Sequence, residues 1–207
     1  MRMLFIGDAN DVIPFREDFK KNGFDIDLLS TCTEAERALL LIPYEAVIIS
    51  FLHTKNDVVN VISRWRKNGI NIPMLVLIGN FEEVFLIKIL DSGADDCIKK
   101  TVPVSEIISR LRAIIRRRYA VSSCLLRYRD IEFDTGSLRV TFRGKKIKMT
   151  YRELSLLELF LLNKNRVLRR AYLEANLNTW CRETCSNTVE VHISHLRKKL
   201  EPNIIQT

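Results

Sequence analysis

The sequence predicts two consecutive domains, a doubly wound α/β domain over residues 1–118 and an α+β domain over residues 125–207. In the first part, short apolar runs alternate with amphipathic stretches, which is typical of a parallel sheet covered by helices on both faces. In the second part, strand patterns separated by turns precede helical patterns. The formal charge of +8 is also uneven, because residues 1–118 carry 17 Lys and Arg against 16 Asp and Glu, whereas residues 119–207 carry 16 against 9.

The first domain is expected to contain five parallel strands and five helices joined by right-handed crossovers. The predicted strands are Met3–Ile6, Ile26–Leu29, Ala46–Ile49, Met74–Ile78 and Cys97–Ile98. The predicted helices cover about residues 11–22, 33–42, 57–67, 82–91 and 105–118. Ligand sites in such sheets lie beyond the carboxyl ends of the strands. The residues expected at that edge are Gly7 and Asp8, Ser50, Ile78 and Gly79, and Lys99 and Lys100.

The second domain begins with strand patterns and continues with helices. Residues 126–133 and 138–142 flank Asp134-Thr135-Gly136-Ser137, a hairpin signal, and a further turn follows at residues 143–146. Thr150 and Glu153 form a capping box that opens the next helix. A second helix is predicted over about residues 170–177, followed by a loop over residues 178–185. Residues 119–124, where charge gives way to small residues, are predicted to link the two domains.

The last predicted helix, over residues 187–200, is the most informative segment of the chain. Val189, Ile193, Leu196 and Leu200 recur at helical spacing and form one apolar stripe. Cations and short polar side chains cover the remaining surface. Such a helix fits the major groove of DNA. On the pattern alone, a surface helix with a solvated basic face is an equally good interpretation.

The composition excludes several classes of function and partner. No apolar run approaches the length of a membrane span and no secretory leader is visible, so no membrane partner is expected. The five cysteines are scattered and odd in number, which favours reduced thiols and a cytoplasmic location. We find no set of catalytic residues or metal ligands and expect neither an enzymatic activity nor a cofactor. The basic second domain favours a polyanionic partner.

The residues at the strand ends make the first domain similar in sequence to a known protein family. Residues 1–8, residues 44–52, Gly93-Ala94-Asp95-Asp96 and Lys100 resemble the receiver domain of two-component response regulators. Residues 148–154, 166–168 and 189–200 resemble the winged-helix DNA-binding domain of the OmpR/PhoB-type subfamily. The resemblance spans nearly the whole chain. It implies a flavodoxin-like receiver followed by an α+β winged-helix domain, which usually ends in a β-hairpin wing expected to begin after residues 204–207, where this sequence stops.

Four positions depart from the receiver pattern. Family receivers carry two adjacent acids after the first strand, an acceptor aspartate after the third and Thr or Ser after the fourth. This chain has Gly7-Asp8, Ser50 and Ile78 there, and Lys100 precedes Thr101 rather than proline. No general base is visible near Ser50 in the sequence. We therefore expect a degenerate receiver (Asp8, Ser50, Ile78, Lys100) without aspartyl-phosphate chemistry, and the weaker alternative is phosphorylation of Ser50 by a Ser/Thr kinase.

The resemblance also implies partners. In the subfamily, receivers form homodimers through charged pairs, and the matching positions are Lys88, Asp95, Asp96, Glu106 and Arg110. Glu106 and Arg110 are four residues apart, so they can equally bridge each other within one helix. The loop that meets RNA polymerase in related activators corresponds to a segment containing Arg182 and Glu183.

The DNA contacts that the resemblance implies lie along the last predicted helix. Asn187 and Thr188 lie at its start, where phosphate oxygens bind, and Ser194 and His195 replace a basic pair common in the family. The other matching positions are Val191, expected to contact a thymine methyl, and His192, Arg197 and Lys198. We expect a dimeric, phosphorylation-independent regulator that binds double-stranded promoter DNA. The alternatives are a phosphorelay receiver with residual phospho-acceptor activity and an interaction module that no longer binds DNA.

Overall fold

The computed structural model describes residues 1–50, 55–79, 83–177 and 188–206. The first domain contains a parallel sheet with the order β2-β1-β3-β4-β5, in which Met3 lies opposite both Ile26 and Ala46. Its strands are β1 (Arg2–Ile6), β2 (Asp25–Leu29), β3 (Ala46–Ser50), β4 (Met74–Ile78) and β5 (Asp96–Lys99). This order confirms the predicted flavodoxin-like fold. Every residue of β1, β3 and β4 is buried, because helices cover both faces of the sheet.

The helices of the first domain follow the predicted positions with one exception. They are α1 (Ala9–Val12), α2 (Arg16–Lys21), α3 (Cys32–Leu41), α4 (Lys55–Lys67), α5 (Glu83–Asp91) and α6 (Val104–Arg118). The single helix predicted over residues 11–22 is wrong: α1 and α2 are separated by a 3-10 turn at Ile13–Phe15. Pro14 accounts for the break, because it has no backbone N–H and its ring clashes with the preceding turn of an α-helix.

The second domain has a four-stranded antiparallel sheet followed by helices. The strands are β6 (Leu125–Tyr128), β7 (Ile131–Asp134), β8 (Arg139–Phe142) and β9 (Lys145–Ile147), and the helices are α7 (Tyr151–Leu162), α8 (Arg170–Leu177) and α9 (Thr188–Lys199). The continuous strand predicted over residues 126–133 is wrong, since the chain turns at Arg129 and Asp130, where Arg129 has a φ of 50°. The hairpin at Asp134 is confirmed, and the carboxylate of Asp134 accepts the Gly136 N–H at 2.9 Å. Both hydrogen bonds of the capping box at Thr150 are also present.

Two apolar cores lie on opposite faces of the parallel sheet. One contains Leu4, Ile49 and Trp65 and belongs to the first domain alone. The other contains Phe24 and Ile115 and continues without interruption into the second domain through residues such as Leu156. The two domains therefore pack directly against each other. No helix in the described part of the chain is long and apolar enough to span a membrane.

Candidate functional site

Helix α9 is anchored by the apolar stripe that the sequence predicts. Val189, Ile193, Leu196 and Leu200 are all buried, and Leu196 has no exposed surface. At the start of the helix, Glu190 forms an ion pair with Arg170 of α8 at 3.1 Å. This packing fixes which side of α9 faces solvent.

The opposite side of α9 is an exposed stripe, which we call the outer stripe and define as Val191, Ser194, His195 and Lys198. The spacings of three and four residues place these side chains on one face. Val191 is 47% exposed, and the other three are exposed as well. The stripe combines an apolar contact, a hydroxyl, an imidazole and an ammonium group. These are side-chain types that contact base edges and phosphates in DNA grooves.

Other polar side chains of α9 are engaged within the protein. The Arg197 guanidinium donates two hydrogen bonds, at 3.0 and 2.7 Å, to the carbonyl oxygen of Ile205. The Lys199 ammonium donates to the carboxylate of Glu153 at 2.6 Å. His192 is only partly exposed, and burial, with the nearby Arg152 guanidinium adding to it, lowers the pKa of the His192 imidazole. Of the predicted DNA contacts, Arg197 and His192 thus lie off the outer stripe.

Glu153 fastens the end of α9 to the start of α7. Its side chain is buried, lies 3.5 Å from Nδ1 of His195 and accepts the Lys199 ammonium. Burial alone would raise the pKa of Glu153, but the hydrogen bonds from Lys199 and from the backbone N–H of Thr150 outweigh it and lower this pKa. Glu153 therefore stays ionised at neutral pH and holds Lys199 in place.

The strand-end residues of the first domain lie together as predicted. Ser50 ends β3 and is 2% exposed, and Ile78 ends β4 and is 4% exposed. The backbone N–H of Lys100 donates to the carbonyl oxygen of Ile78 at 2.7 Å. Gly7 packs so closely against this edge that a Cβ on it would lie 2.4 Å from the Ser50 carbonyl oxygen.

The structure adds Asp11 to this group, contrary to the expectation that no base lies near Ser50. Its Oδ2 accepts the Ser50 hydroxyl at 2.7 Å and the Lys100 ammonium at 2.7 Å. Asp8 points elsewhere, because its carboxylate caps α1 by accepting the Asn10 N–H at 2.8 Å. The available signal was the spacing: Asp11 follows the capping Asp8 by three residues and so lies in the first turn of α1.

The predicted dimer-face residues divide into three groups. Asp95 is exposed, pairs with Arg66 of α4 at 2.7 Å and accepts the Met74 N–H at 2.8 Å. Arg110 pairs with Asp96 at 3.1 Å and with Glu106 at 2.8 Å, so the local bridge is present within one chain. Lys88 is exposed on α5, next to the exposed side chains of Val84 and Ile87.

Several predicted residues lie outside the described part of the chain. These are Asn187, Arg182 and Glu183, and for Thr188 only the backbone, as the first residue of α9, is described. Among residues 1–50, 55–79, 83–177 and 188–206, no three His, Cys, Asp or Glu side chains gather in a way that could hold a metal ion.

Comparison with known proteins agrees with this architecture. Residues 144–207 match the family described as transcriptional regulatory protein, C terminal. The chain is 36% identical over 208 residues to the transcriptional regulatory protein QseB of Haemophilus influenzae, covering 100% of this chain and 94% of that protein. It is 29% identical over 204 residues to the response regulator protein PmrA of Pseudomonas aeruginosa, covering 99% and 90%.

A solved structure supports the fold of the first domain. The receiver domain of the Francisella response regulator 1452 superposes with a TM-score of 0.51 at 24% identity, covering 56% of this chain and 98% of that one. A flavodoxin-like domain followed by a winged-helix domain defines the class of two-domain response regulators. Within that class, the chain belongs to the OmpR/PhoB-type family of transcriptional regulatory proteins.

Proposed function

We propose that this protein is a sequence-specific transcriptional regulator that binds double-stranded promoter DNA through the outer stripe of α9. The observation that carries the proposal is the division of α9 into a fully packed apolar face and an exposed polar face with a cation. The family relationship and the charge of +7 on residues 119–207 also favour a polyanionic partner. Contact with RNA polymerase through the segment containing Arg182 and Glu183, and a cytoplasmic location, belong to the same proposal.

Selection of bound fragments from fragmented genomic DNA, followed by sequencing, tests sequence-specific binding. We expect one enriched motif for the wild-type protein. Val191→Ala should weaken the preference at one base pair of that motif, because the apolar contact with a thymine methyl is lost. Enrichment no greater than in a control without protein would contradict the proposal.

The same proposal includes independence from phosphorylation. Phosphoryl transfer to a receiver needs a carboxylate nucleophile and a magnesium ion held by several oxygens. Here the hydroxyl of Ser50 is buried and donates to Asp11, and the carboxylate of Asp11 is already paired with Lys100. Incubation with labelled acetyl phosphate and Mg²⁺ should leave the protein unlabelled, and stoichiometric labelling would favour the phosphorelay alternative instead.

A homodimer completes the proposal. The exposed Lys88, Val84 and Ile87 give α5 an apolar and charged face, and the Arg110 side chain of α6 is 43% exposed. Sedimentation velocity of the full chain at tens of micromolar should give a dimer without any phosphodonor. A monomer under these conditions would contradict this part of the proposal but would leave DNA binding open to its own test.

A further inference from the structure

Polar groups of the second domain reach the amino-terminal edge of the parallel sheet. The hydroxyl of Ser155 on α7 donates to the carbonyl oxygen of Gly23 at 2.6 Å. The backbone N–H of Arg2 donates to the side-chain oxygen of Asn176 on α8 at 3.3 Å, and Asn176 is completely buried. The contact between the domains is thus hydrogen-bonded as well as apolar.

A buried carboxylate lies at the centre of this contact. Glu45 precedes β3 and is 1% exposed. One of its oxygens accepts the hydroxyl of Tyr119, which follows α6, at 2.7 Å. Its other oxygen accepts the hydroxyl of Tyr172 on α8, and the two tyrosine hydroxyls lie 3.3 Å apart. We call Glu45, Tyr119 and Tyr172 the interdomain latch.

The latch is favourable only while the domains are packed together. A buried carboxylate is costly unless hydrogen bonds replace its hydration, and here the two tyrosines supply them. Burial, reinforced by the negative charge of Glu45, raises the pKa of Tyr119 to about 12 and also raises that of Tyr172, so both hydroxyls remain protonated donors at neutral pH. Arg118 adds a cation 3.8 Å from the carboxylate.

The latch is joined to α9 through α8. Tyr172 lies in the first turn of α8, and Arg170, the first residue of this helix, pairs with Glu190 of α9. The outer stripe of α9 remains exposed while the latch is closed. Docking of the domains therefore fixes the direction in which the outer stripe faces without covering it.

We propose that the interdomain latch holds the receiver-like domain and the winged-helix domain as one body with the outer stripe free. This deepens the proposed function, because it sets the orientation of the DNA-binding face relative to the first domain. Phosphorylation-triggered release of the second domain is then unnecessary for access to DNA.

Hydrogen exchange of the full chain, followed by mass spectrometry, tests the latch. Tyr172→Phe removes one hydroxyl while keeping the ring, so Glu45 loses a hydrogen bond only in the docked state. We expect amide exchange in residues 116–124 and 170–177 to become about tenfold faster, which corresponds to about 1.4 kcal/mol. Exchange in β5 should not change, because β4 separates this strand from β3, which begins directly after Glu45.

Tyr151→Phe is the matched control, because Tyr151 is 48% exposed on α7 and should leave all three regions unchanged. Glu45→Gln is the second variant; it removes the charge and one acceptor and should accelerate the same two regions. Unchanged exchange in Tyr172→Phe, equal acceleration of β5, or unprotected residues 116–124 in the wild type would overturn the latch. None of these readouts uses DNA, so a failure of DNA binding is distinguishable from a failure of the latch.

Discussion

The substitution Asp11→Asn tests the group at the carboxyl end of the parallel sheet. Asparagine keeps the shape of the side chain and one acceptor for the Ser50 hydroxyl, but it removes the charge that faces Lys100. The Asp11 and Lys100 side chains are only 18% and 17% exposed. After the substitution the Lys100 ammonium therefore remains largely shielded from water without its counter-charge.

The expected loss of stability in Asp11→Asn depends on how deeply the Asp11–Lys100 ion pair is buried. Removing one partner of a fully buried ion pair costs about 3–5 kcal/mol, whereas exposed pairs contribute about 0–1 kcal/mol. This pair lies between the two limits, so we expect Asp11→Asn to lower the free energy of unfolding by about 2 kcal/mol at pH 7. Asp18→Asn is the charge-matched control, since Asp18 is exposed on α2, and its change should stay within about 0.5 kcal/mol.

Urea unfolding followed by circular dichroism measures these differences. Exchanging the side chains at positions 11 and 50 gives a sharper comparison. S50D alone should be destabilising, because it brings a second carboxylate close to Asp11 with one ammonium to share. D11S/S50D should recover stability, since one carboxylate again faces one hydroxyl and Lys100. If Asp11→Asn behaves like Asp18→Asn, or if S50D is as stable as the wild type, the assignment of Asp11 as the partner of Lys100 is incorrect.

Two further predictions concern buried groups. Burial raises the pKa of Glu158, although the Arg112 guanidinium opposes this. The contribution of Glu158 to stability is therefore complete below the ordinary pKa of 4.5 and is lost as the pH rises through the raised pKa. Glu158→Gln should flatten the dependence of the unfolding midpoint on pH above 4.5, and an unchanged dependence would contradict this. Burial, reinforced by Asp96, raises the pKa of Cys97 to about 12, so a thiol reagent at neutral pH should label the exposed Cys124 in the native protein and reach Cys97 only after unfolding. Equal labelling rates for Cys97 and Cys124 would show that the Cys97 thiol is accessible.

The parallel sheet and the packed face of α9 were predictable because buried elements have regular patterns of apolar residues in the sequence. A strand covered on both faces, such as Met74–Ile78, is a continuous apolar run. A helix packed on one side repeats apolar residues every three or four positions, as Val189 and Ile193 illustrate. The order of the strands does not follow from these runs, because right-handed crossovers leave several orders open, and the flavodoxin-like order was implied by the resemblance.

The features that were missed depend on single turns or on contacts between distant parts of the chain. Arg129 and Asp130 form a tight turn without glycine, so residues 126–133 look like one strand. The approach of Asp11 to Ser50 depends on where α1 begins, which is decided by the Asp8 cap. Arg197 binds a backbone carbonyl, a group that every residue carries and that no pattern distinguishes. The latch at Glu45 joins residues more than 70 positions apart.

The salt dependence of DNA binding by Lys198→Ala tests the central claim most directly. Fluorescence anisotropy with the selected duplex, between about 50 and about 200 mM salt, should give a log–log slope of about −5 for the wild type if about six phosphates are contacted. Lys198→Ala should be less steep by about 0.9, whereas Lys67→Ala, an exposed lysine on α4, should match the wild type. Equal slopes for Lys198→Ala and Lys67→Ala would contradict binding through the outer stripe.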